Sequence, residues 1–167
     1  MSTPYYILII EDEAPVRDAV LREVEAFENF FPVEAVESAE EAKEVIDMIE
    51  KEGGKIALIL CDHLLPKKNG VDFLIESMEF PITRYARKVL VTGQAGHEDT
   101  IMAVNKAGLD FYISKPWKTE AFANVIKEQL TTFVLKEQGF NAIPLMGILD
   151  GVRIMEHVRK KGFEGNV

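Results

Sequence analysis

The sequence has one cysteine, Cys61, so no disulfide can form within the chain, and a reducing cytoplasm is the simpler setting. The residue itself reads as a small buried hydrophobe. No apolar run approaches the length of a membrane span, so no membrane partner is expected. The N-terminus, MSTPYYILII, has no basic stretch ahead of its apolar residues and meets Glu11-Asp12-Glu13 at once, unlike a signal peptide. Positive charge is also short: 19 Lys and Arg stand against 28 Asp and Glu, a net charge of -9. Nucleic acid and anionic lipid are themselves negative, so direct nucleic-acid binding is not expected. What the chain does have is 47% hydrophobic residues in 167, enough for one proper core. A soluble cytoplasmic domain with an appendage follows as the expectation.

Four short apolar runs, Tyr5 to Ile10, Ile56 to Cys61, Lys88 to Val91 and Phe111 to Ile113, are rich in β-branched and aromatic residues and mostly lack polar alternation. Strands buried on both faces of a parallel sheet read this way. Pro32 to Val36 alternates and suits an edge. Between the runs, Val16, Val20, Val24 and Phe27 recur at helical spacing, as do Ala39, Ala42, Ile46 and Ile49, and again Phe122, Ile126, Leu130 and Phe133. Ser38 with Glu41 forms a capping-box start. Val71 to Met78 and Thr100 to Ala107 complete five helices alternating with five strands, which predicts an α/β domain with helices on both faces of a parallel sheet.

Ligands of such sheets sit beyond the carboxyl ends of the strands. The residues there are Glu11 and Asp12 after the first strand, Asp62 after the third, Thr92 after the fourth and Lys115 after the fifth. Each alone reads as a turn former or helix cap. Together they bring three carboxylates, a hydroxyl and an ammonium to one edge, a combination that turn chemistry does not need. Three close carboxylates repel, so one must hold a proton or a cation must neutralise them. Oxygen ligands in a small hydrated site suit Mg2+. Asp62 is then the candidate nucleophile toward phosphorus. Lys115, the Thr92 hydroxyl and a backbone N–H near Gly93 are the candidate partners of the phosphoryl oxygens.

These segments, Glu11-Asp12, the D-x-x-L-P-x-x-N-G run from Asp62 to Gly70, Thr92-Gly93 and Lys115-Pro116, resemble a response-regulator receiver domain of two-component signalling. The resemblance covers about Tyr5 to Leu135. It implies a doubly wound, flavodoxin-like five-stranded parallel sheet of order 2-1-3-4-5 with five helices. It also implies that Asp62 is the phosphoacceptor and that Asp12, Asp62 and the Leu64 backbone carbonyl bind Mg2+ with Glu11 assisting. By the same resemblance, Thr92 and Lys115 contact the phosphate, Lys115-Pro116 is cis, and Tyr112 switches with Thr92. The expected partners are a histidine kinase or phosphotransfer protein and a downstream protein or output domain. The responding face is the fourth helix, fifth strand and fifth helix, with Ala103, Lys106, Tyr112 and Trp117 on it. Leu64 and Gln94 occupy the positions that tune autodephosphorylation in receivers.

The expected boundaries are 4–136 for the receiver and 137–167 for an extension. Gly139, Asn141, Pro144 and Gly147 interrupt the extension before Ile148, Val152, Met155 and Arg159 suggest a short amphipathic helix ending near Gly162. That helix either folds back over apolar surface or serves dimerisation, an alternative to a homodimer through the responding face. Two other functions fit parts of the pattern: a receiver-fold scaffold indifferent to phosphorylation, and a haloacid-dehalogenase-type Mg2+ phosphohydrolase. The hydrolase needs an acid two residues after the nucleophile, where Leu64 stands. Apart from its own phosphorylation and dephosphorylation, no enzymatic activity is expected.

Overall fold

A computed structural model describes residues 2–93 and 96–164, the last two by backbone only. Its elements are β1 (Tyr5–Ile10), α1 (Ala14–Val24), β2 (Val33–Val36), α2 (Ala39–Lys51), β3 (Lys55–Cys61), α3 (Gly70–Ser77), β4 (Arg87–Thr92), α4 (His97–Ala107), β5 (Phe111–Ser114), α5 (Thr119–Lys136) and α6 (Gly151–Glu164). The strands form one parallel sheet in the order β2-β1-β3-β4-β5, as expected, with β2 at an edge.

The lack of polar alternation has a direct cause. Ile7 and Ile9 point to one face, with Leu58, Leu60, Val89, Val91 and the inner residues of α1 and α5. Leu8 and Ile10 point to the other, with Ile59, Leu90 and the inner residues of α2, α3 and α4. Both faces are covered, so both must be apolar. The Ser38 cap is present, its Oγ accepting from the Glu41 N–H at 3.2 Å. The return bond to Glu41 Oε2 comes from the Glu37 N–H at 2.9 Å, one residue earlier than in the standard box.

The extension packs onto the α1/α5 face: Leu145, Leu149 and Ile154 belong to the same core as α5. The Asp150 N–H donates to Thr131 Oγ1 at 3.1 Å and Arg153 Nη2 to Thr132 Oγ1 at 3.0 Å, holding the start of α6 against α5. The helical stripe differs from the expected one. Ile148 lies in the turn before α6, and that turn resets the helical phase, so Ile154 is fully buried while Val152 is 70% exposed.

One buried charge had no sequence signal. Lys88 on β4 is 2% exposed, and its ammonium donates to the carbonyls of Thr83, Arg84 and Ala86 at 3.2, 3.2 and 3.0 Å. Burial lowers its pKa to about 8, opposed by the charge of Asp110.

Ile154→Ala should cost about 2–4 kcal/mol in chemical denaturation, whereas Val152→Ala should change stability by less than about 0.5 kcal/mol. Lys88→Met takes the ammonium away from three carbonyls, of which that of Thr83 keeps the Ala86 N–H, and should cost roughly 2–4 kcal/mol in the same measurement.

Candidate functional site

The five strand-end residues converge at the carboxyl edge of the sheet. The Glu11 N–H bonds to the Val36 carbonyl at 3.0 Å and the Asp62 N–H to the Ile10 carbonyl at 3.0 Å, so sheet pairing itself fixes where these acids leave the strands. Arg17 from α1 donates to the Glu11 carbonyl at 3.0 Å and braces the β1–α1 loop. The carboxylates of Glu11, Asp12 and Asp62 each place an oxygen within 4.8 Å of the others. Lys115 closes the cluster, its Nζ lying 3.1 Å from Glu11 Oε2 and 3.3 Å from Asp62 Oδ2. The other Asp62 oxygen, Oδ1, accepts the His63 N–H at 2.8 Å.

Glu11 and Asp62 are both buried, while Asp12 is exposed. Burial, reinforced by the negative charge and hydrogen bond of Asp62, pushes the Glu11 carboxyl up to about 7 against the opposing pull of Lys115. One ammonium does not neutralise three carboxylates, and the raised Glu11 is the consequence anticipated from the sequence. Glu11 Oε1 is buried and has no hydrogen-bond partner among the described residues. An orphaned carboxylate oxygen in an all-oxygen cluster fits a hard cation of the Mg2+ type. Burial, with the charges of Asp62 and Glu11, raises the Cys61 thiol well above its usual value, which leaves it an unreactive neutral group.

Gly70 has a stricter role than loop shaping. A Cβ there would lie 1.9 Å from the Asp62 carbonyl oxygen, a clash that no neighbour can relieve because the atom is backbone. Asn69 caps α3, its Oδ1 accepting the Asp72 N–H at 2.8 Å. Thr92 ends β4, buried, and its carbonyl accepts both the Lys115 N–H at 3.3 Å and the Tyr112 hydroxyl at 3.1 Å. Tyr112 is therefore turned inward toward Thr92. The Lys115-Pro116 bond is cis. Leu64 is half exposed, its residue 50% accessible, and Gln94 lies outside the described residues.

Two residues assigned to the responding face lie elsewhere. Ala103 is fully buried and packs α4 onto the sheet, because its small side chain lets the helix approach. Trp117 belongs to the α1/α5 side, where its ring meets Phe122 at 4.9 Å and its Nε1 donates to Glu23 Oε1 at 3.1 Å. His63, which sequence reasoning passed over, is buried beside the acids and reaches Asp99 of α4.

A 2-1-3-4-5 parallel sheet with an acidic cluster and a lysine at its carboxyl edge defines a doubly wound α/β domain built around charged groups. The chain belongs to the response regulator receiver domain family, which matches residues 7–127. It is 29% identical to the hydrogenase transcriptional regulatory protein HoxA of Bradyrhizobium diazoefficiens over 83% of this chain and 26% of the regulator. Chemotaxis protein CheY of Halobacterium salinarum is 26% identical over 75% of this chain and 96% of its own length. A CheY-like receiver domain crystal structure from Methanospirillum hungatei superposes with a TM-score of 0.66 at 29% identity, over 79% of this chain and 97% of that one. The chain thus spans about a quarter of the HoxA regulator. No described helix is long and apolar enough to cross a membrane.

Glu11 sets a pH dependence. Its carboxyl keeps a proton up to about pH 7 in the folded chain but loses it near 4.5 when unfolded, so the folded form binds more protons between these values. Stability without cation should therefore fall as pH rises through that window, by on the order of 1–2 kcal/mol after solvent screening. Thermal melts should show this slope, should lose it in Glu11→Gln, and should show a larger rise in Tm with Mg2+ at pH 8 than at pH 5.

Proposed function

We propose that the domain is a phosphorylation switch in which Asp62 accepts a phosphoryl group from a histidine kinase or phosphotransfer protein. The observation that carries this reading is the Lys115 ammonium, shared between the buried Glu11 and Asp62 carboxylates beside the exposed Asp12. Lys115 keeps Asp62 close to a cation, and an ionised carboxylate is the nucleophilic form. An Asp62 oxygen forms the new O–P bond as the donor's bond to phosphorus breaks, and the donor leaves with that electron pair. For a phosphohistidine donor the imidazole nitrogen keeps the pair and takes up a proton.

Glu11, Asp12 and Asp62, with the Leu64 carbonyl, are the residues that would hold Mg2+. When bound, the ion would offset the mutual repulsion of the acids and the charge of the incoming phosphoryl oxygens. Lys115 follows the charge: its ammonium already lies beside Asp62 and would pair with a phosphoryl oxygen there. The Thr92 hydroxyl supplies a second donor from the end of β4. Its movement would be felt by Tyr112, which is bonded to the Thr92 carbonyl, and so by the face formed by α4, β5 and α5. That face carries Ile101, Met102, Val104 and Phe111 as exposed apolar residues, which supports its use in binding a downstream protein or a second copy. Leu64, with no acid or base to offer, supports a switch rather than a hydrolase. A cytoplasmic location accords with a kinase donor.

Incubation with a small acyl phosphate and Mg2+ should produce a labile phosphoryl adduct at Asp62, read by mass spectrometry. Asp62→Asn should give none, and Lys115→Ala should slow its formation by roughly a hundredfold, the usual effect of removing one charge-stabilising donor. An adduct of equal yield in wild type and Asp62→Asn would overturn the proposal.

A further inference from the structure

His63 follows Asp62 directly, is 5% exposed and has none of the roles assigned above. Its main chain is held on both sides. The N–H donates to Asp62 Oδ1 at 2.8 Å, and the carbonyl accepts the Gly70 N–H at 2.8 Å and the Leu65 N–H at 3.1 Å. With its backbone so held, the side chain reaches across to α4, where Nε2 lies 3.2 Å from Asp99 Oδ2 in the first turn. Among the described residues this is the one close polar side-chain contact between the 62–69 loop and α4. The other ring nitrogen, Nδ1, is buried without a partner among those residues.

We propose that His63 is a positioning residue, a strut whose imidazole ties the first turn of α4 to the backbone that senses the state of Asp62. The inference rests on the phosphoacceptor reading. An ionised carboxylate oxygen accepts a hydrogen bond about twice as strongly as a neutral acyl oxygen. When Asp62 becomes an acyl phosphate, its charge moves outward to the phosphoryl oxygens, and the bond that holds the His63 N–H loses its charge assistance. The backbone of His63 relaxes, and the imidazole carries that change to Asp99. The route is separate from the one through Thr92 and Tyr112, since it enters α4 at its first turn rather than along its flank. It also assigns Asp99 a purpose beyond the favourable interaction of an acid with a helix start, a benefit that Glu98 in the same turn already supplies.

The test is amide hydrogen exchange on the full chain, in wild type, Asp99→Ala, Glu98→Ala, His63→Leu and His63→Gln, with and without a small acyl phosphate plus Mg2+. In unmodified protein, the α4 amides from Thr100 onward, the first that the helix itself hydrogen-bonds, should exchange about fivefold faster in Asp99→Ala and His63→Leu, the effect of losing one polar contact of ordinary strength. Glu98→Ala, which gives up only the interaction of an acid with the helix start, should speed exchange less than Asp99→Ala does, and His63→Gln should restore protection because its amide N–H can reach Asp99. On phosphorylation, wild type should show a change in α4 exchange that Asp99→Ala lacks or halves, at unchanged adduct yield. Equal loosening by Asp99→Ala and Glu98→Ala, failure of Gln to rescue a folded His63 variant, or the same phosphorylation response in wild type and Asp99→Ala would overturn the strut. Absence of any adduct in the wild type overturns the phosphoacceptor reading and the signal with it, while the unmodified-state comparison still decides whether the tie exists.

Discussion

Two carboxylates, Glu11 and Asp62, are buried side by side with one ammonium between them, and much of the molecule follows from making that arrangement tolerable. An uncompensated buried charge is among the costliest features a fold can hold. Lys115 supplies the compensation from 104 positions away in the chain. It can do so only because parallel pairing brings the ends of β1, β3 and β5 to the same edge of the sheet. The compensation is incomplete, as the raised Glu11 carboxyl and its oxygen left unmatched among the described residues show. That residual imbalance is what a hard cation bound there would relieve.

The surroundings of the site are rigid. The central strands are buried on both faces, and Gly70 brings the start of α3 against the Asp62 carbonyl with no room for a side chain. Movement at Asp62 is therefore poorly absorbed behind it. Contacts lead forward from the site: Lys115 to β5, the Thr92 carbonyl to Tyr112, and His63 to Asp99. Both of the latter reach the α4–β5 side, where the exposed apolar residues lie. The extension reinforces the opposite side, with Ile154 and Leu149 sealing α1 and α5 and Thr131 and Thr132 anchoring α6.

The sheet and the placement of the strand-end residues were readable because they rest on local signals. Continuous apolar runs such as Ile56 to Cys61 betray two-sided burial, and an acid or lysine directly after such a run has its place set by strand phase. Helix positions were readable where one face is apolar over several turns, as in α2. The readings that failed depend on contacts between distant segments. Ala103 looked like surface because alanine has no strong preference, and Trp117 looked like part of the α4 face because it follows β5 closely in sequence. The chain instead crosses at Pro116 to the α1 side, where Glu23 receives the indole N–H. The α6 stripe was misphased because a turn of irregular residues intervenes, and periodicity carries no memory across a turn. Lys88 in a buried strand had no warning, since its three acceptors come from a loop whose path no pattern specifies.

Sequence by itself determined which charged and polar residues stand at the strand ends and in what order they appear: acids after the first and third strands, a hydroxyl after the fourth, a lysine after the fifth. It could do so because side-chain identity and strand phase are local properties. Only the tertiary structure decided which oxygen of Asp62 faces Lys115 and which faces the His63 N–H, that Glu11 keeps an oxygen unmatched among the described residues, and that His63 finds Asp99. Those outcomes depend on distances of a few ångströms between segments far apart in the chain, and such distances are set by packing as a whole.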